Sequence, residues 1–556
     1  MKDQFADVVA RMDRRAFLRL SATLGAATAL TAGLAACGGT SNAPTTPGGN
    51  GGGTTGAATA SGSGSAGAPA GGTIEATLAF TFNGGFDPMN TSGAVGTCVN
   101  QHIFEALVDL DPISREPYPA LAKALPTAGS DGLSWTAQLR EGAKFSDGSP
   151  VTTADVAWSF TRVLDPANKA IVAPFLTSFL DSVTATDDKT VTFKLKSPFA
   201  LFPQRIAVIK IVPKAKTADA AAAKAFDSAP IGSGPFKLDS ASVTDGAVIS
   251  KNTNYNGPKP ALVDKVVLHT NKDNSARIND LQGGQAQAIE AVPYLNADSL
   301  QSPLTADTKQ AFNGMYLLFN CSAAPFKDKR VRQALLYAID TKKVITTALN
   351  GYGEAATSYL DSSNPYYQQA ATVFDYNPDK AKSLLAEAGV SNLSFELVTT
   401  DVAFIADSAP VLIESWKQVG VTATLKTAPT AQVLNQLVPA DTFRVMAGSG
   451  DPTIYGPDTD LLLRWYYYGD QWLVNRARWD APEREQLTTM IDDAAKQNGD
   501  QQKQSWKKIF DFISDQVPLY MIYHTKTITG FDSSKLTDFH GASTTGAYFL
   551  GVGRKG

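Results

Sequence analysis

Apolar positions alternate in some segments of the chain and recur at helical spacing in others, which separates predicted strands from predicted helices. Alternation predicts strands over 73–80, 135–140, 189–195, 393–400 and 421–426. Spacing of three to four residues predicts helices over 98–107, 154–164, 220–225, 327–349, 378–388 and 410–419. Within 393–426 the order strand, helix, glycine, strand is typical of a βαβ unit, whose strands pair in parallel inside a covered sheet. The pattern therefore predicts a mixed α/β protein.

Three of the predicted helices follow residues that favour N-capping. Thr153, Asp219 and Asn377 each stand directly before a helical segment, and Pro378 follows Asn377. The side-chain oxygen of such a residue accepts a hydrogen bond from the free N–H groups of the first turn, and proline is tolerated at the first helical position. We therefore expect helices to begin at 154, 220 and 378.

The first 37 residues are typical of an export signal. An arginine pair at 14–15 precedes a weakly apolar run over 20–36. That run is shorter than the roughly 20 strongly apolar residues that span a membrane, and its charged front is typical of a signal peptide. The pair resembles a twin-arginine signal, and Leu-Ala-Ala-Cys at 34–37 resembles a bacterial lipobox, which would make Cys37 a lipidation site. A buried helix that ends in cysteine is the alternative.

Residues 38–72 contain glycine, alanine, serine, threonine and proline for the most part, and no charged residue. Such a composition buries too little apolar surface to offset the entropy of ordering, so we predict a flexible linker. A lipid-anchored body tethered to the outer face of the cell membrane is the expected arrangement.

Charge and cysteine content narrow the possible partners. The chain of 556 residues has a formal net charge of −4, and its Lys and Arg residues are scattered, so we expect no nucleic-acid partner. No second apolar run reaches membrane-spanning length, which leaves lipid on Cys37 as the only expected membrane contact. Cys98 and Cys321 could form a disulfide in an oxidising compartment, although the sequence does not show that they meet.

The sequence offers no recognisable catalytic constellation. It contains no phosphate-binding loop, no H-E-x-x-H, no C-x-x-C and no G-x-S-x-G motif. The four histidines, at 102, 269, 524 and 540, are far apart and lack metal-ligand spacing. Paired acids at 187–188 and 492–493 are typical of solvated turns and helix faces. We therefore expect neither an enzyme nor a cofactor or metal site.

Several segments together resemble one family, the extracytoplasmic solute-binding proteins of ABC importers in the peptide-binding branch, family 5. The segment 135–160 (WTAQLREGAKFSDGSPVTTADVAWSF) is similar to the signature region of that family. Further similar segments are IGSGPFKL at 231–238, APFKDKRVRQALLYAID at 324–340, YNPDKAKSLLAEAGV at 376–390 and QVPLY at 516–520. The five segments occur in the family's order and cover most of the chain after the linker.

The resemblance implies a periplasmic-binding-protein type II fold, with two hinged lobes and an extra inserted domain. Lobe I would comprise 73–97, 228–320 and 525–556, the inserted domain 98–227, and lobe II 321–524. Cys98 and Cys321 would then both lie at domain boundaries. A ligand would bind between the lobes, and hinge closure would remove it from water.

The resemblance also implies an aspartate that holds the α-amino group of a peptide. Gly450 and Asp451, within GSGDP at 448–452, match the segment that carries this acid. A carboxylate that lines a closed cleft needs a cation, which an ammonium group supplies. A simple Asp-Pro turn is the alternative role for Asp451, and Asp458 and Asp460 are competing candidates.

The most aromatic stretch of the chain, RWYYYGDQWLVNRARW at 464–479, supplies further candidates. Its rings cannot all face one core, so we expect some of them, among Trp465, Tyr468 and Trp472, to line the cleft, with ordinary packing as the alternative. By their positions in matching segments, Asn83, Asn320 and Tyr520 are also ligand-binding candidates.

The sequence thus predicts a monomeric, lipid-anchored binding protein that captures oligopeptides and delivers them to an ABC permease. An oligosaccharide, a nickel chelate and an opine-like compound are alternative ligands, and the scarcity of histidine argues against nickel. A receptor that senses peptide without transport would share this sequence. A surface hydrolase is a third class, for which no motif was found.

Overall fold

Strands and helices alternate along the chain, and the structure, a computed structural model, describes residues 71–82, 84–440 and 442–555. The strands are β1 (Thr73–Leu78), β2 (Val108–Leu110), β3 (Pro117–Pro119), β4 (Thr127–Ala128), β5 (Ser134–Gln138), β6 (Leu180–Ala185), β7 (Thr190–Leu195), β8 (Phe236–Ser242), β9 (Gly246–Lys251), β10 (Lys265–Thr270), β11 (Ala288–Ile289), β12 (Leu304–Phe319), β13 (Gly353–Ala355), β14 (Ser394–Thr400), β15 (Thr422–Ala428), β16 (Val445–Gly448), β17 (Leu519–Asp532), β18 (Leu536–Thr537) and β19 (Gly553–Arg554). The α-helices are α1 (Ala94–Ile103), α2 (Thr153–Leu164), α3 (Pro174–Thr177), α4 (Phe202–Arg205), α5 (Ala220–Ser228), α6 (Asn274–Gln282), α7 (Lys329–Tyr337), α8 (Thr341–Ala348), α9 (Pro378–Glu387), α10 (Ala403–Lys417), α11 (Thr430–Gln432), α12 (Thr459–Tyr467), α13 (Asp470–Leu473), α14 (Pro482–Ala495) and α15 (Gly499–Gln516). The predicted mixed α/β class is confirmed.

Two long antiparallel strands, β12 and β17, join the two sides of the main sheet. The strand order is β15-β14-β16-β12-β17-β11-β1-β10-β9-β8, and β13 also pairs with β17. On one side β14 pairs in parallel with both β15 and β16, as the βαβ pattern predicts. On the other side β1 pairs in parallel with β10 and β11. The strands β12 and β17 connect the two sides of the main sheet. A bend in this strand pair would therefore change the angle between the two sides.

A second, four-stranded sheet has the order β4-β5-β7-β6, and helix α2 packs against β6 and β7. Its buried residues share a hydrophobic core with the β14–β16 side of the main sheet. The strands β1, β8, β9 and β10 cover a separate core together with α1 and the end of the chain. The shared core therefore places the smaller sheet against the β14–β16 side of the main sheet.

Local capping decides where several helices begin. Asp219 accepts from the N–H of Ala222 and Asn377 from that of Lys380, so both predicted caps are confirmed. The prediction for Thr153 is wrong by one residue, because Thr152 is the cap and exchanges hydrogen bonds with Asp155 in a capping box.

Three predicted helices differ from the observed ones. The helix predicted over 98–107 is α1, which begins at Ala94 and ends at Ile103, where Phe104 takes an extended conformation. The segment 327–349 forms two helices rather than one, because the side chain of Asp340 caps the new helix α8. The helix predicted over 410–419 begins earlier, at Ala403, and Pro410 lies inside it. The prediction placed Pro410 at the first helical position, where proline is common. In the structure the helix already buries Ile405 and Ala409 before it reaches Pro410.

The disulfide that the sequence left open does not form, because Cys98 and Cys321 are both free. The Cys98 thiol donates to the carbonyl of Ala547 at 3.2 Å and lies in the core under β1, whereas Cys321 lies in the other core. Burial raises the pKa of Cys98 to about 12 and that of Cys321 to about 11, so both thiols stay protonated.

The residue ranges given for the lobes and the inserted domain stay predictions, and the predicted boundary between 524 and 525 falls inside β17. Among the described residues, no helix is both long and apolar enough to cross a bilayer. The predicted signal peptide, Cys37 and the linker up to residue 70 lie outside the described residues.

Candidate ligand-binding cleft

The loop that follows β16 lies at the carboxyl end of the parallel strands β14 and β16. In open α/β sheets, ligands bind outside the carboxyl ends of the strands. Gly450 and Asp451 belong to this loop, and the 3₁₀ turn Pro452–Ile454 follows directly. The backbone thus places the Asp451 carboxylate where this class of fold holds its ligands.

The Asp451 carboxylate ties this loop to the segment 540–550, which we call the C-terminal loop. One carboxylate oxygen accepts from the backbone N–H of Thr453 at 3.2 Å and from its hydroxyl. The other accepts from the hydroxyl of Thr544 at 2.9 Å and from the N–H of Thr545 at 3.0 Å. Asp451 and these three threonines form what we call the Asp451 site.

No Lys, Arg or His of the described segments forms an ion pair with Asp451, although the carboxylate is half-buried. Arg115 interacts with it electrostatically, and the Arg115 guanidinium donates to the carbonyl of Thr453. Burial lowers the pKa of Arg115, and Tyr548, Asp451 and Asp111 oppose this effect. The Asp451 carboxylate therefore accepts hydrogen bonds from its neighbours but forms no ion pair with a cationic side chain of the described segments.

A small cavity that opens to solvent lies beside the Asp451 site. Residues from four parts of the chain line it, among them Asp109, Arg115, Lys210, Tyr455 and Tyr548. Asp109 and Lys210 are paired with each other. The cavity therefore has both polar and aromatic walls.

On the other side of Gly450 lies a group of buried rings, Tyr316, Tyr466 and Trp472, which we call the aromatic cluster. The ring centroids are 5.4 Å apart for Tyr316 and Tyr466, 5.6 Å for Tyr316 and Trp472, and 4.9 Å for Tyr466 and Trp472. A Cβ atom at Gly450 would overlap the Tyr466 hydroxyl, so glycine is needed for this close approach. The cluster connects the central strand β12 to the Asp451 loop.

The structure distributes the predicted aromatic candidates over three environments. Trp472 belongs to the aromatic cluster and carries the Arg476 guanidinium over its ring at 4.0 Å. Trp465 is half-buried and packs on the rings of Phe175 and Tyr455, so it lies behind the cavity wall. Tyr468 donates to Asp492 at 3.2 Å. Only Trp472 therefore lies in a cluster that borders the Asp451 loop.

The remaining predicted candidates contact other parts of the molecule. Asn320 is fully buried, donates to the carbonyl of Phe443 at 3.0 Å and accepts from Ser322, which is a turn-stabilising role. The Tyr520 ring is buried against Phe374, with centroids 5.1 Å apart. Asn83 lies outside the described residues.

Asp458 and Asp460, which compete with Asp451 in the sequence, are both neutralised by arginine. Arg205 donates to Asp458 at 2.5 Å and to Asp460 at 2.8 Å, and Arg464 donates to Asp460 at 2.8 Å. All four side chains are buried. Burial alone would raise the pKa of Asp460, but the two guanidinium groups hold it below its usual range. These acids therefore link the smaller sheet region to helix α12 and are not open to a ligand ammonium.

Sequence reasoning missed the partners of Asp451. Thr544, Thr545 and Tyr548 lie more than 90 residues from Asp451 and carry no motif, and Arg115 follows an ordinary turn. Arg476 lies inside the aromatic stretch 464–479, so the sequence alone shows that a cation is close to several aromatic residues. Within the described ranges, no group of three or more His, Cys, Asp or Glu residues could hold a metal ion.

Comparison with known proteins identifies the family. The family model "Bacterial extracellular solute-binding proteins, family 5 Middle" matches residues 116–472. The chain is 31% identical over 308 residues to the glutathione-binding protein GsiB of Escherichia coli O1:K1 / APEC, a match that covers 55% of this chain and 59% of GsiB. The chain thus spans somewhat over half the length of the curated relatives that it matches.

Solved structures share the fold. The periplasmic binding protein DppA of Helicobacter pylori, in complex with the peptide STSA, superposes with a TM-score of 0.77 at 20% identity and covers 88% of this chain and 99% of its own. The binding protein AgaA of A. tumefaciens R10, in complex with agropinic acid, gives 0.73 at 26% identity and covers 86% and 96%. These homologues are binding proteins, not enzymes. The chain belongs to the family 5 bacterial extracellular solute-binding proteins and has their periplasmic-binding-protein type II fold.

Proposed function

We propose that this family 5 protein captures oligopeptides in the cleft at the Asp451 site and delivers them to an ABC permease. The observation that carries the proposal is the half-buried Asp451 carboxylate, which lies at the carboxyl ends of the parallel strands without a paired cation. The ammonium group at the start of a peptide supplies the missing positive charge, and charge-assisted hydrogen bonds are among the stronger polar contacts.

The contacts of Asp451 also suggest how binding drives closure. The carboxylate belongs to the loop after β16, and its threonine partners at 544 and 545 belong to the C-terminal loop. A ligand that bound to both loops would favour the state in which they are close, since a ligand shifts a conformational equilibrium by its differential affinity. The long strands β12 and β17 are the proposed hinge, because they connect the two sides of the sheet.

The ligands of similar proteins are compatible with an oligopeptide as the ligand of this chain. One relative is a glutathione-binding protein, and one structural neighbour holds the peptide STSA. AgaA holds agropinic acid, which keeps an opine-like acid as the second candidate. An oligosaccharide is less favoured, because Tyr466, Tyr467 and Trp472 are buried among core residues and offer no free ring face for a sugar.

Anchoring and export are part of the proposal. Cys37 would carry the lipid, the linker at 38–72 would keep the body near the permease, and Arg14-Arg15 would direct twin-arginine export. Replacing Cys37 with serine should release the protein from membranes into the soluble fraction. Retention of the variant in the membrane fraction would contradict the lipid anchor.

Ligand identity is best tested by native mass spectrometry of the purified protein without an affinity tag. We expect co-purified masses that fragment as a mixture of short peptides. A single sugar in their place would contradict the proposal, and a single opine-like acid would select the second candidate. A receptor without transport would bind the same peptides but would leave peptide uptake by cells unchanged when its gene is deleted.

A further inference from the structure

Two buried side chains of helix α1 hold the backbone of the C-terminal loop. The Cys98 thiol donates to the carbonyl of Ala547 at 3.2 Å, and Nε2 of His102 accepts from the N–H of Phe549 at 2.9 Å. Because Cys98 and His102 are four residues apart, both lie on one face of α1. The loop is therefore attached to the helix through the side chains of that face.

The hydrogen bonds of His102 determine its protonation state. Its Nδ1 lies 2.8 Å from the carbonyl oxygen of Cys98, which can only accept, so Nδ1 carries a proton. The N–H of Phe549 can only donate, so Nε2 carries no proton and the ring is neutral. A second proton, on Nε2, would face the N–H of Phe549, and the hydrogen bond between helix and loop would be lost.

Apolar and neutral groups surround the His102 ring. The ring is fully buried and packs against the rings of Phe236, Tyr548 and Phe549, with centroids 5.9, 6.1 and 6.0 Å away. Burial lowers the pKa of His102 to about 4, and the carbonyl of Cys98 opposes this effect. No charged side chain of the described residues is among the groups that shift this pKa. The site therefore strongly disfavours the charged ring.

The other titratable groups of the elements around the ring supply no anion to it. Burial raises the pKa of Cys98 and of Tyr548, so both are protonated at neutral pH. Glu105, just beyond α1, is paired with an arginine. The charged residues of the strands β8 and β9 are all exposed: Lys237, Asp239 and Lys251.

Glu290 also contacts the C-terminal loop, but its titration acts in the opposite direction. Its carboxylate accepts from the N–H of Gly546 at 2.7 Å and from that of Ala79 at 3.0 Å. Burial raises the pKa of Glu290, so its contribution holds the loop more firmly at low pH than at high pH. A weakening of the loop at low pH would therefore come from His102 and not from Glu290.

The C-terminal loop also forms part of the candidate cleft. Thr544 and Thr545 donate to Asp451, and Tyr548 lines the cavity beside the Asp451 site. Release of this loop from α1 would therefore remove two donors from the Asp451 carboxylate and open one wall of the cavity.

We propose that the hydrogen bond between His102 and the Phe549 N–H is a proton-sensitive latch, which releases the C-terminal loop at acid pH and lets the ligand leave the cleft faster. Release of the loop follows from the contacts of His102, and the effect on the ligand rests on the proposed function. When the loop is released, water reaches the ring, which then binds a proton near the ordinary pKa of about 6.5. The difference between about 6.5 and about 4 makes the released loop about 30-fold more populated at pH 5 than at pH 7.5.

The test is hydrogen exchange of the full-length protein at pH 5 and pH 7.5, measured by mass spectrometry and corrected for the intrinsic exchange rate at each pH. We expect peptides that cover 544–549 to lose protection by about 30-fold at pH 5 in the wild type. His102→Gln keeps an oxygen that can accept from the Phe549 N–H but does not titrate, so its loop should lose far less protection. The control variant His269→Gln removes an exposed histidine that is paired with Glu75, and it should behave as the wild type.

Thermal unfolding shows whether each variant is folded, and His102→Asn takes the place of His102→Gln if the glutamine variant does not fold. Equal protection of the loop at both pH values in the wild type would overturn the latch, whether or not a variant folds. The same loss of protection in His102→Gln as in the wild type would overturn it as well.

The effect on the ligand is measured as the dissociation rate of tripeptides with free ends at the same two pH values. The rate should rise by up to about 30-fold at pH 5 in the wild type, relative to its change in His102→Gln. Equal changes in the two proteins would show that the loop does not control ligand release. If no tripeptide binds at either pH, the peptide function fails, and hydrogen exchange of the loop still decides whether the latch exists.

Discussion

Two neighbouring regions of the chain use the same residue types in opposite ways. In the first, residues 458–464, the carboxylates of Asp458 and Asp460 are buried and each contacts an arginine. In the second, the Asp451 loop and Arg476, an acid and a base lie close to one cluster of rings, and neither forms an ion pair with a side chain of the described residues. We refer to them as the paired region and the unpaired region.

The difference between the two regions separates structural charges from charges that are available to a ligand. Buried ions in the paired region neutralise one another and hold the smaller sheet region against helix α12. In the unpaired region each charge has hydrogen-bond donors or an aromatic ring as its neighbour but no direct ion pair. A bound ammonium group would form the ion pair that Asp451 lacks, whereas the acids of the paired region already have their arginines.

Arg205→Ala should give the largest loss of stability, because it leaves two buried carboxylates without their shared cation. We expect the free energy of unfolding to fall by about 3–5 kcal/mol, the usual cost of breaking a buried ion pair from one side. Denaturant unfolding would measure it. Lys189→Ala, which removes an exposed pair with Glu141, should change stability by less than about 1 kcal/mol. A similar small loss for Arg205→Ala would mean that the paired region does not hold the two parts together.

Lowering the pH should weaken the C-terminal loop that supports Asp451 while leaving the paired region intact. Burial lowers the pKa of His102 to about 4, and its neutral ring receives the N–H of Phe549 at 2.9 Å. Since the unfolded chain binds this proton near pH 6.5, stability falls as the pH drops from about 6.5 to 4, by up to about 3 kcal/mol. Asp460 keeps its charge over this range, because Arg464 and Arg205 outweigh the effect of burial on its pKa.

The measurement for His102 is the difference between the wild type and His102→Gln across this pH range. Glu105 acts in the opposite sense, because burial raises its pKa to about 7, and this contribution is common to both proteins. Equal slopes for the two proteins would show that His102 does not titrate during unfolding.

A smaller effect is expected at Gly450, where the loop of the unpaired region touches the aromatic cluster. Gly450→Ala adds a Cβ atom that overlaps the Tyr466 hydroxyl, and we expect a loss of about 1–3 kcal/mol from overpacking. Tyr466→Phe removes an unpartnered hydroxyl and should change the stability of the free protein little. In a double-mutant cycle the alanine should cost less in the Tyr466→Phe background, and additive losses would contradict the predicted contact.

The sequence predicted those features that depend on residues close together in the chain. Asp219 and Asn377 cap helices because each side chain reaches an N–H three residues later. Residues 152 and 153 are both threonine, and Thr152 is the N-cap because it forms the capping box with Asp155. Alternation of apolar residues over 393–426 was enough for the parallel strands β14 and β15.

The candidate site was only partly predictable, because its contacts join distant segments. Asp451 was found through its motif, but Thr544 and Thr545 reach it from the C-terminal loop. The roles of Asn320 and Tyr520 depend on Phe443 and Phe374, which no local pattern identifies. Pairing of Cys98 with Cys321 fails for the same reason, since the two thiols lie in separate cores.

The proposed role of Asp451, whose carboxylate would hold the ammonium group of the ligand, can be measured by titrating tripeptide pools with free and acetylated amino ends into the wild type and Asp451→Asn. We expect acetylation to weaken binding to the wild type by about 10- to 100-fold, and Asp451→Asn to bind both pools equally weakly while it remains folded. Asp470→Asn, which alters an exposed acid, should behave as the wild type. If Asp451→Asn still prefers the free amino end as strongly as the wild type does, Asp451 is not the ammonium site.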